Sequence, residues 1–139
     1  MKIITEYIEL STKGQAEVVD ITRKVADLLK SSGLNAGIVN LNVYGSTAGL
    51  TTCEYEPGLV KDIKEIFEKL IPQEKRYHHN DTWGDGNGHS HLRASLLGAT
   101  LTLPFNNNAL ILGTWQQIIF IDFDNRPRER KLVLQFIGE

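Results

Sequence analysis

Two apolar stretches near the end of the chain decide the fold: QQIIFIDFD at residues 116–124 and ERKLVLQFIGE at residues 129–139. Successive side chains of a β-strand point to opposite faces of its sheet, so residues two apart share a face. Apolar residues occupy both faces of each stretch: Ile119, Ile121 and Phe123 opposite Phe120, and Leu132, Leu134 and Phe136 opposite Val133 and Ile137. The pattern predicts two strands that are buried on both sides, either within the domain or against another subunit.

Further strands are predicted upstream of this pair. Alternation of apolar and polar residues predicts them over about residues 2–10, in AGIVNLNVYG (36–45), in GATLTLPF (98–105) and in NALILG (108–113). Turn-forming residues, such as the run of three asparagines at 106–108, separate the strands of the second half.

Apolar residues at helical spacing predict two main helices. One covers about residues 20–32, with Asp20 as its N-cap. The other lies in LVKDIKEIFEKLIP (59–72), where Pro57 precedes the helix and a second proline closes it. LRASLLG (92–98) predicts a further short helical turn.

Length and composition agree with one folded unit. The chain has 139 residues, of which 41% are hydrophobic and 23% charged, which suits a single core. The strands and helices together predict an α+β fold: one compact domain over residues 1–139, with an antiparallel or mixed β-sheet core and two main helices.

The charge and composition argue against several function classes. A formal net charge of -2 gives no field that attracts nucleic acid or an anionic membrane surface, and no apolar run is long enough to span a bilayer. The alternating start, MKIITEYIEL, is typical of a strand and not of a signal peptide. Cys53 is the one cysteine, so no intrachain disulfide is expected. We therefore expect a cytoplasmic protein that binds neither nucleic acid nor membranes.

All four histidines lie in one stretch, HHNDTWGDGNGHSH, at residues 78–91. Neutral imidazole is a common zinc ligand, and a catalytic zinc site usually combines three protein ligands with one open position. In an extended chain His89 and His91 point to the same face and can share a metal, whereas on a helix they lie about 200° apart. The three glycines before His89 argue against a regular helix there, so the extended alternative stays open.

The same stretch has a second interpretation. Asn, Asp, Gly and His all tolerate turn conformations, so the segment is also typical of a polar loop. Adjacent His78 and His79 point opposite ways if extended, so only one of them faces a site shared with His91. The clustering of every histidine favours a metal or catalytic role, although the spacing matches no HExxH motif.

Two further features are candidates for binding an anion. GSTAGLTTCE (45–54) contains Ser46 and Thr47, and the backbone amides of such a stretch can hold a phosphate. The alternative for it is an ordinary β-turn with half-buried threonines. Arg93 follows the last histidine closely, where it either binds phosphate through two N–H groups or is a surface cation.

Read in order, GSTAGLTTCEYEPG, YHHND, DGNGHSHLRASLLG, LGTWQ and the closing RxRKLVLQFIGE resemble the YjbQ-like family, also called UPF0047 or the secondary thiamine-phosphate synthase family. The resemblance covers essentially the whole chain. It implies a compact α+β fold, a homotrimer and a polar cleft near subunit boundaries. It also implies a weak thiamine-phosphate synthase activity, in which a hydroxymethylpyrimidine pyrophosphate alkylates a thiazole phosphate and releases pyrophosphate.

The resemblance also singles out individual residues. The positions that match the family's motifs are Glu54, His79, Asp85, His91, Thr114, Trp115 and Gln116. Many relatives have a histidine where this chain has Gly45. We infer that His89 replaces that imidazole as a third nitrogen ligand.

The first functional hypothesis is a metal-dependent enzyme that acts on a small phosphorylated metabolite. A divalent metal held by His79, His89 and His91 neutralises phosphate charge or activates water. Glu54 or Asp85 acts as general acid or base, or as a further ligand. The expected substrate contacts are Ser46, Thr47, Thr51, Asn87, Arg93, Thr114 and Gln116.

Three nitrogen ligands favour zinc over magnesium, which prefers oxygen, although magnesium stays an alternative. A zinc-type hydrolase therefore fits the ligands as well as a synthase-type transferase does. The second functional hypothesis is a non-catalytic trimer that binds a metal or a metabolite. Four protein ligands closing the site favour that reading, whereas an open position beside Glu54 favours catalysis.

Overall fold

Eight strands and four helices follow one another in the computed structural model, which describes residues 1–139. The strands are β1 (Lys2–Thr12), β2 (Glu17–Asp20), β3 (Gly37–Val43), β4 (Ala48–Cys53), β5 (Thr100–Asn106), β6 (Ala109–Leu110), β7 (Gln117–Asp122) and β8 (Arg128–Gly138). The helices are α1 (Thr22–Ser32), α2 (Pro57–Leu70), α3 (His78–Trp83) and α4 (Gly88–Leu97). The predicted α+β class is confirmed. Two shorter helices are present in addition to the two main ones that were expected.

The strands form two antiparallel sheets. β8 lies inside a five-stranded sheet with the order β1-β8-β3-β5-β6, and β7 is the centre of a three-stranded sheet with the order β2-β7-β4. Every strand pair is antiparallel, which decides between the antiparallel and mixed alternatives.

β7 explains why the apolar stretch at 116–124 has two apolar faces. Alternate residues enter two clusters: Ile118 and Phe120 join the main core with α1 and the five-stranded sheet, and Ile119, Ile121 and Phe123 pack with Phe67 of α2 and Ala94 of α4. The predicted burial on both sides is confirmed and is achieved within the chain. Each large apolar side chain buried in this way contributes about 1.5–3 kcal/mol.

β8 is fully buried on one face only. On its other face Val133 and Ile137 remain half-buried. Neighbouring strands add exposed apolar residues to this outward face: Ile3, Tyr7 and Ile38. For β8 the second face is therefore not covered within the chain, which leaves contact with another subunit as the alternative.

α1 begins later than predicted. Its first residue is Thr22 and its N-cap is Ile21, not Asp20. Asp20 ends β2 and pairs with Ile119, because residues 17–20 complete the three-stranded sheet. Its carboxylate still accepts a hydrogen bond from the Thr22 amide at 2.9 Å, so one free amide of the first turn is satisfied.

α2 confirms the helix expected in residues 59–72 and begins at Pro57. The carboxylate of Glu56 accepts hydrogen bonds from the amides of Gly58 at 2.7 Å and Leu59 at 2.8 Å. None of the four helices combines the length and the apolar character needed to cross a membrane.

Residues 45–54 do not form the expected turn. Six of them make up β4, which pairs with β7 from Ala48 opposite Asp122 to Cys53 opposite Gln117. The threonines of this strand are half-buried, as one alternative expected. Since most amides of the stretch serve the sheet, only its beginning can offer amides to a ligand.

Candidate functional site

The histidine segment forms two helices rather than an irregular loop. α3 ends at Gly84, whose φ of 70° lies in the left-handed region, and residues 85–87 lead the chain into α4. At Gly88 the helices come so close that a Cβ would lie 2.7 Å from the Cβ of Tyr77. The Gly88 amide donates a hydrogen bond to Asn80 Oδ1 at 2.9 Å, so glycine is needed for this packing.

The packing of α3 on α4 places His79 against His91. Their ring centroids are 4.3 Å apart and their planes are tilted by 44°. Asp85, in the turn between the helices, has its Oδ1 3.7 Å from His79 Nδ1. That nitrogen is buried and has no hydrogen-bond partner. His79, Asp85 and His91 are called the histidine cluster below.

The electrostatics of the cluster leave an imidazole uncharged. Burial lowers the pKa of His91, and the neighbouring His79 lowers it further. The nearby Asp124 and Asp85 act in the opposite direction but do not outweigh these effects. At neutral pH His91 is therefore neutral, and its free lone pair is available to a metal ion or a proton.

Asn87 lies between the carboxylates of Asp85 and Asp124. With its nitrogen toward Asp85 it donates to the two carboxylate oxygens at 3.0 Å and 3.3 Å. In the opposite orientation the nitrogen lies 3.4 Å from Asp124 Oδ1. We assign the first orientation because its contacts are shorter. Asn87 thus holds Asp85 in the histidine cluster.

His89 is not part of the histidine cluster. It lies on α4, two residues before His91, so the two side chains point about 200° apart around the helix. The extended alternative for these residues is wrong, because the helix begins at Gly88. His89 is 1% exposed, and burial followed by the charge of Arg93 lowers its pKa.

The expected set of three histidine ligands is therefore not assembled in one chain. No group of three or more His, Cys, Asp or Glu side chains is arranged to hold one metal ion. His89 does not take the place of an imidazole at Gly45 either. The histidine that contacts the backbone of the adjacent Ser46 is His91.

Arg93 is held inside the fold and does not project as a free cation. Its Nε donates to the backbone carbonyl of Ile71 at 2.9 Å, and an Nη donates to Glu68 Oε2 at 2.7 Å. Its side chain is 6% exposed. Arg93 therefore ties α4 to the end of α2, which corrects the expectation that it is placed for a phosphate.

A buried ion-pair network borders the histidine cluster and was missed in the sequence. Arg130 donates to both oxygens of Asp122, from Nε at 2.6 Å and from Nη at 2.7 Å. Arg128 Nε donates to Asp124 Oδ2 at 2.8 Å. Both carboxylates are almost fully buried, at 0% and 1% exposure. Paired charges with two hydrogen bonds are what allow such burial.

Thr47 joins the two ion pairs. Its hydroxyl donates to Asp124 Oδ2 at 3.0 Å and accepts from an Nη of Arg130 at 2.6 Å. Burial opposes the ionisation of Asp124, but the Asn125 amide, the Thr47 hydroxyl and Arg128 outweigh it and lower the pKa. Asp124 is thus a carboxylate at neutral pH, and Thr47 has a structural role besides any contact with substrate.

The sequence does contain a signal for this ion-pair network, namely the spacing of its charged residues. Asp122 and Asp124 are two residues apart, and so are Arg128 and Arg130. Residues two apart share a face of a strand, so each pair presents like charges to one side. A turn after Asp124 returns the chain, which brings the arginines opposite the aspartates.

Three of the other predicted residues lie in a separate cleft of about 480 Å³. Glu54, Thr114 and Trp115 line it, and Trp115 is 72% exposed. Gln116 is anchored beside it, where its Nε2 donates to Thr52 Oγ1 at 2.9 Å. This group is called the tryptophan end below.

The histidine cluster and the tryptophan end occupy opposite ends of the β4–β7 pair. The backbone of Ser46, before β4, contacts His91, and Glu54 follows the last residue of β4. At roughly 3.3 Å per strand residue, the length of β4 alone separates these two ends by about 17 Å. Thr51 lies half-buried between them. One chain therefore does not bring all the predicted residues into one site.

Comparison with known proteins settles the family. A family model described as UPF0047 protein YjbQ-like matches residues 6–139. The chain belongs to the UPF0047 family. The resemblance of its motifs is thereby confirmed over nearly the whole chain.

Relatives of the UPF0047 family agree in length as well as sequence. A UPF0047 protein of Methanothermobacter thermautotrophicus is 38% identical over 139 residues, covering 100% of this chain and 95% of its own. The UPF0047 protein YugU of Bacillus subtilis is 34% identical over 132 residues, covering 94% and 97%.

Solved structures of the family share the fold. A YjbQ-like protein of unknown function from Sulfolobus solfataricus has a TM-score of 0.89 at 31% identity, over 99% of this chain and 100% of its own. A YjbQ/UPF0047 protein from Clostridium acetobutylicum has a TM-score of 0.83 at 35% identity, over 94% and 99%. The α+β fold is therefore that of the family.

Proposed function

We propose that this UPF0047 protein is a metal-dependent enzyme that acts on a small phosphorylated metabolite. One observation carries the proposal: two imidazoles from different helices meet at 4.3 Å beside a carboxylate. The Nδ1 of His79 is buried without a partner, which is costly unless a ligand or ion satisfies it. Imidazole and carboxylate are the donors that a zinc ion accepts.

The donor set fits a metal in part. His79 and His91 offer nitrogens and Asp85 an oxygen, but these atoms do not converge on one point in the chain. A side-chain rotation or a ligand from outside the chain would complete the site. Nitrogen donors favour zinc, with magnesium as the alternative. The bound ion would supply positive charge that stabilises phosphate oxygens.

We further propose that the complete site forms in a homotrimer. The argument is the separation of about 17 Å between the two ends of the β4–β7 pair, at roughly 3.3 Å per residue. Trp115 is exposed at one end, so it is free to reach the histidine cluster of a neighbouring subunit. In that arrangement Glu54 and Asp85 share the roles of general acid and base.

Two reactions suit such a site. One is the thiamine-phosphate synthase type of transfer, in which a thiazole nitrogen attacks a pyrimidine methylene and pyrophosphate leaves with the bonding electrons. The other is hydrolysis of a phosphate ester by a zinc-type mechanism. Both require that the negative charge of the departing group be stabilised, which is the contribution expected of the cluster.

Elemental analysis of the purified protein tests the proposal. We expect about one transition metal ion per chain in the wild type, as for a protein-built site, and loss of that metal in the His79→Ala/His91→Ala variant. His78→Ala is the matched control, since His78 is adjacent and exposed. A metal content that the double variant retains would contradict the proposal.

Turnover then separates the enzyme from the alternative. Pyrophosphate release from hydroxymethylpyrimidine pyrophosphate and thiazole phosphate, or phosphate release from phosphate esters, should require the metal. A protein that holds the metal but turns over neither class of substrate would instead be the non-catalytic metal-binding trimer.

A further inference from the structure

A second cleft lies directly beside the histidine cluster. Its volume is about 400 Å³, and every residue that lines it is polar: Asp85, Asn87, Asn125, Arg126 and Arg128. Asp85 belongs both to this cleft and to the histidine cluster, so a molecule in the cleft would touch the cluster. The cleft is called the arginine cleft below.

Hydrogen bonds on the side away from the cleft hold Arg128 and Asn125 in place. Arg128 uses its Nε to bind the buried Asp124, and its two Nη atoms make no hydrogen bond within the chain. Asn125 Nδ2 donates to the backbone carbonyl of Asp85 at 2.8 Å, which fixes the loop after β7 against the turn after α3. The free edge of the Arg128 guanidinium is thus oriented without further cost in side-chain entropy.

Arg126 adds a cation that no carboxylate neutralises. It is exposed and takes part in no ion pair or hydrogen bond of the chain. Arg93, by contrast, already binds Glu68, and Arg76 binds Asp81 outside the cleft. Arg126 and Arg128, both with unused donors, therefore lie together in a cleft that borders the histidine cluster.

We propose that the arginine cleft binds the phosphate group of the substrate, with Arg126 and Arg128 as the donors. Guanidinium groups match phosphate oxygens in pairs, which favours them over a lysine for this contact. The inference deepens the proposed function and rests on it for the identity of the ligand as a phosphorylated metabolite. It assigns the phosphate to these arginines and not to Arg93.

Asp85 gives the proposal a distinctive consequence. Its carboxylate faces the same cleft and repels an anion, so it limits phosphate to the arginine wall. Removing that charge should strengthen the binding of inorganic phosphate, although Asp85 belongs to the histidine cluster. An incidental surface site far from Asp85 would not respond in this way.

Titration of metal-free, chelator-treated protein with inorganic phosphate tests the inference by calorimetry or by phosphorus NMR. We expect Arg126→Gln to weaken binding about ten-fold, the effect of a lost charge-assisted hydrogen bond. Asp85→Asn should tighten binding about three-fold by removing like-charge repulsion. Arg23→Gln is the matched control and should bind as the wild type does, because Arg23 is exposed on α1 and does not line the cleft.

Equal affinity in wild type and Arg126→Gln, or weaker binding in Asp85→Asn, would overturn the assignment. The measurement of phosphate binding needs neither metal nor turnover. The inference can therefore be wrong while the proposed function holds, and the reverse. Loss of metal dependence with intact phosphate binding would refute the enzyme proposal alone. Metal-dependent turnover with no effect of Arg126→Gln on phosphate affinity or KM would refute this inference alone.

Discussion

Arg130 and Asp122 form an ion pair in which neither partner reaches solvent appreciably: their side chains are 9% and 0% exposed. Replacing Arg130 by Met would leave the Asp122 carboxylate buried with only the Thr12 hydroxyl as a side-chain partner. We expect Arg130→Met to lower the free energy of unfolding by about 3–5 kcal/mol. Urea denaturation at pH 7 measures this change.

The control for that experiment is Arg76→Met. Arg76 also pairs with an aspartate, but the side chains of Arg76 and Asp81 are 83% and 51% exposed. An exposed pair contributes about 0–1 kcal/mol, so this variant should be nearly as stable as the wild type. Similar losses in both variants would mean that burial does not decide the strength of the Arg130 pair.

Asp124 should make the stability depend on acid pH. Its pKa is lower in the folded chain than the ordinary value of 3.8, so ionised Asp124 contributes stability above that value. The contribution is lost as the pH falls through the folded pKa, because protonation then costs the contacts with Thr47 and Arg128. Urea midpoints from pH 6 to pH 2 should fall less steeply below about pH 4 in Asp124→Asn than in the wild type. Parallel curves would contradict this assignment.

At the scale of elements, the contact between α3 and α4 decides whether a histidine cluster exists. Gly88 permits it, because any side chain there would meet Tyr77 at 2.7 Å. We expect Gly88→Ala to push the helices apart and to weaken metal binding at least about ten-fold, since ligand geometry tolerates errors of only about 0.5 Å. Metal titration of the purified variant measures the loss.

Gly113→Ala is the matched control for Gly88→Ala. A Cβ at Gly113 would meet nothing closer than 3.7 Å, so the same substitution should leave metal affinity unchanged there. Circular dichroism shows whether Gly88→Ala remains folded. A folded Gly88→Ala protein with unchanged metal affinity would show that the close approach of α3 and α4 is not needed.

At the scale of the whole molecule, the separation of the two groups of site residues predicts complementation. We propose to refold a mixture of two inactive variants, His91→Ala and Glu54→Gln, into mixed trimers. If each site joins the histidine cluster of one subunit to the tryptophan end of the next, random mixing restores about a quarter of the sites in a closed ring. Pyrophosphate release should then rise to about a quarter of the wild-type rate.

Light scattering supplies the control, because the assembly should have the mass of three 15.6 kDa chains. The outward face of the five-stranded sheet, with Ile3, Tyr7 and Val133, is an apolar surface left to bury in such an assembly. A trimer in which mixing restores no activity would place each complete site within one chain. A monomer with full activity would also exclude a shared site.

Most elements of this molecule were predictable because their apolar pattern is local. Alternation predicted β1, β3, β5, β7 and β8, and helical spacing predicted α1 and α2. α3 was not predicted, because its six residues HHNDTW show no apolar period and it forms by packing on α4. β2 was hidden in the helical pattern of residues 18–29, since strand pairing with β7 overrides that local preference.

The sequence by itself determined the fold class, the family and the residues whose side chains can act as metal ligands, acids or bases, including His79, Asp85 and His91. Only the tertiary structure decided which of them meet. Helix formation at Gly88 turned His89 away from His91, and the length of β4 put Glu54 at the far end of its sheet. The pairing of Arg128 and Arg130 with two buried aspartates likewise appears only in three dimensions. The physical reason is that a side chain's type is fixed by the sequence, whereas its partners depend on contacts between residues distant along the chain.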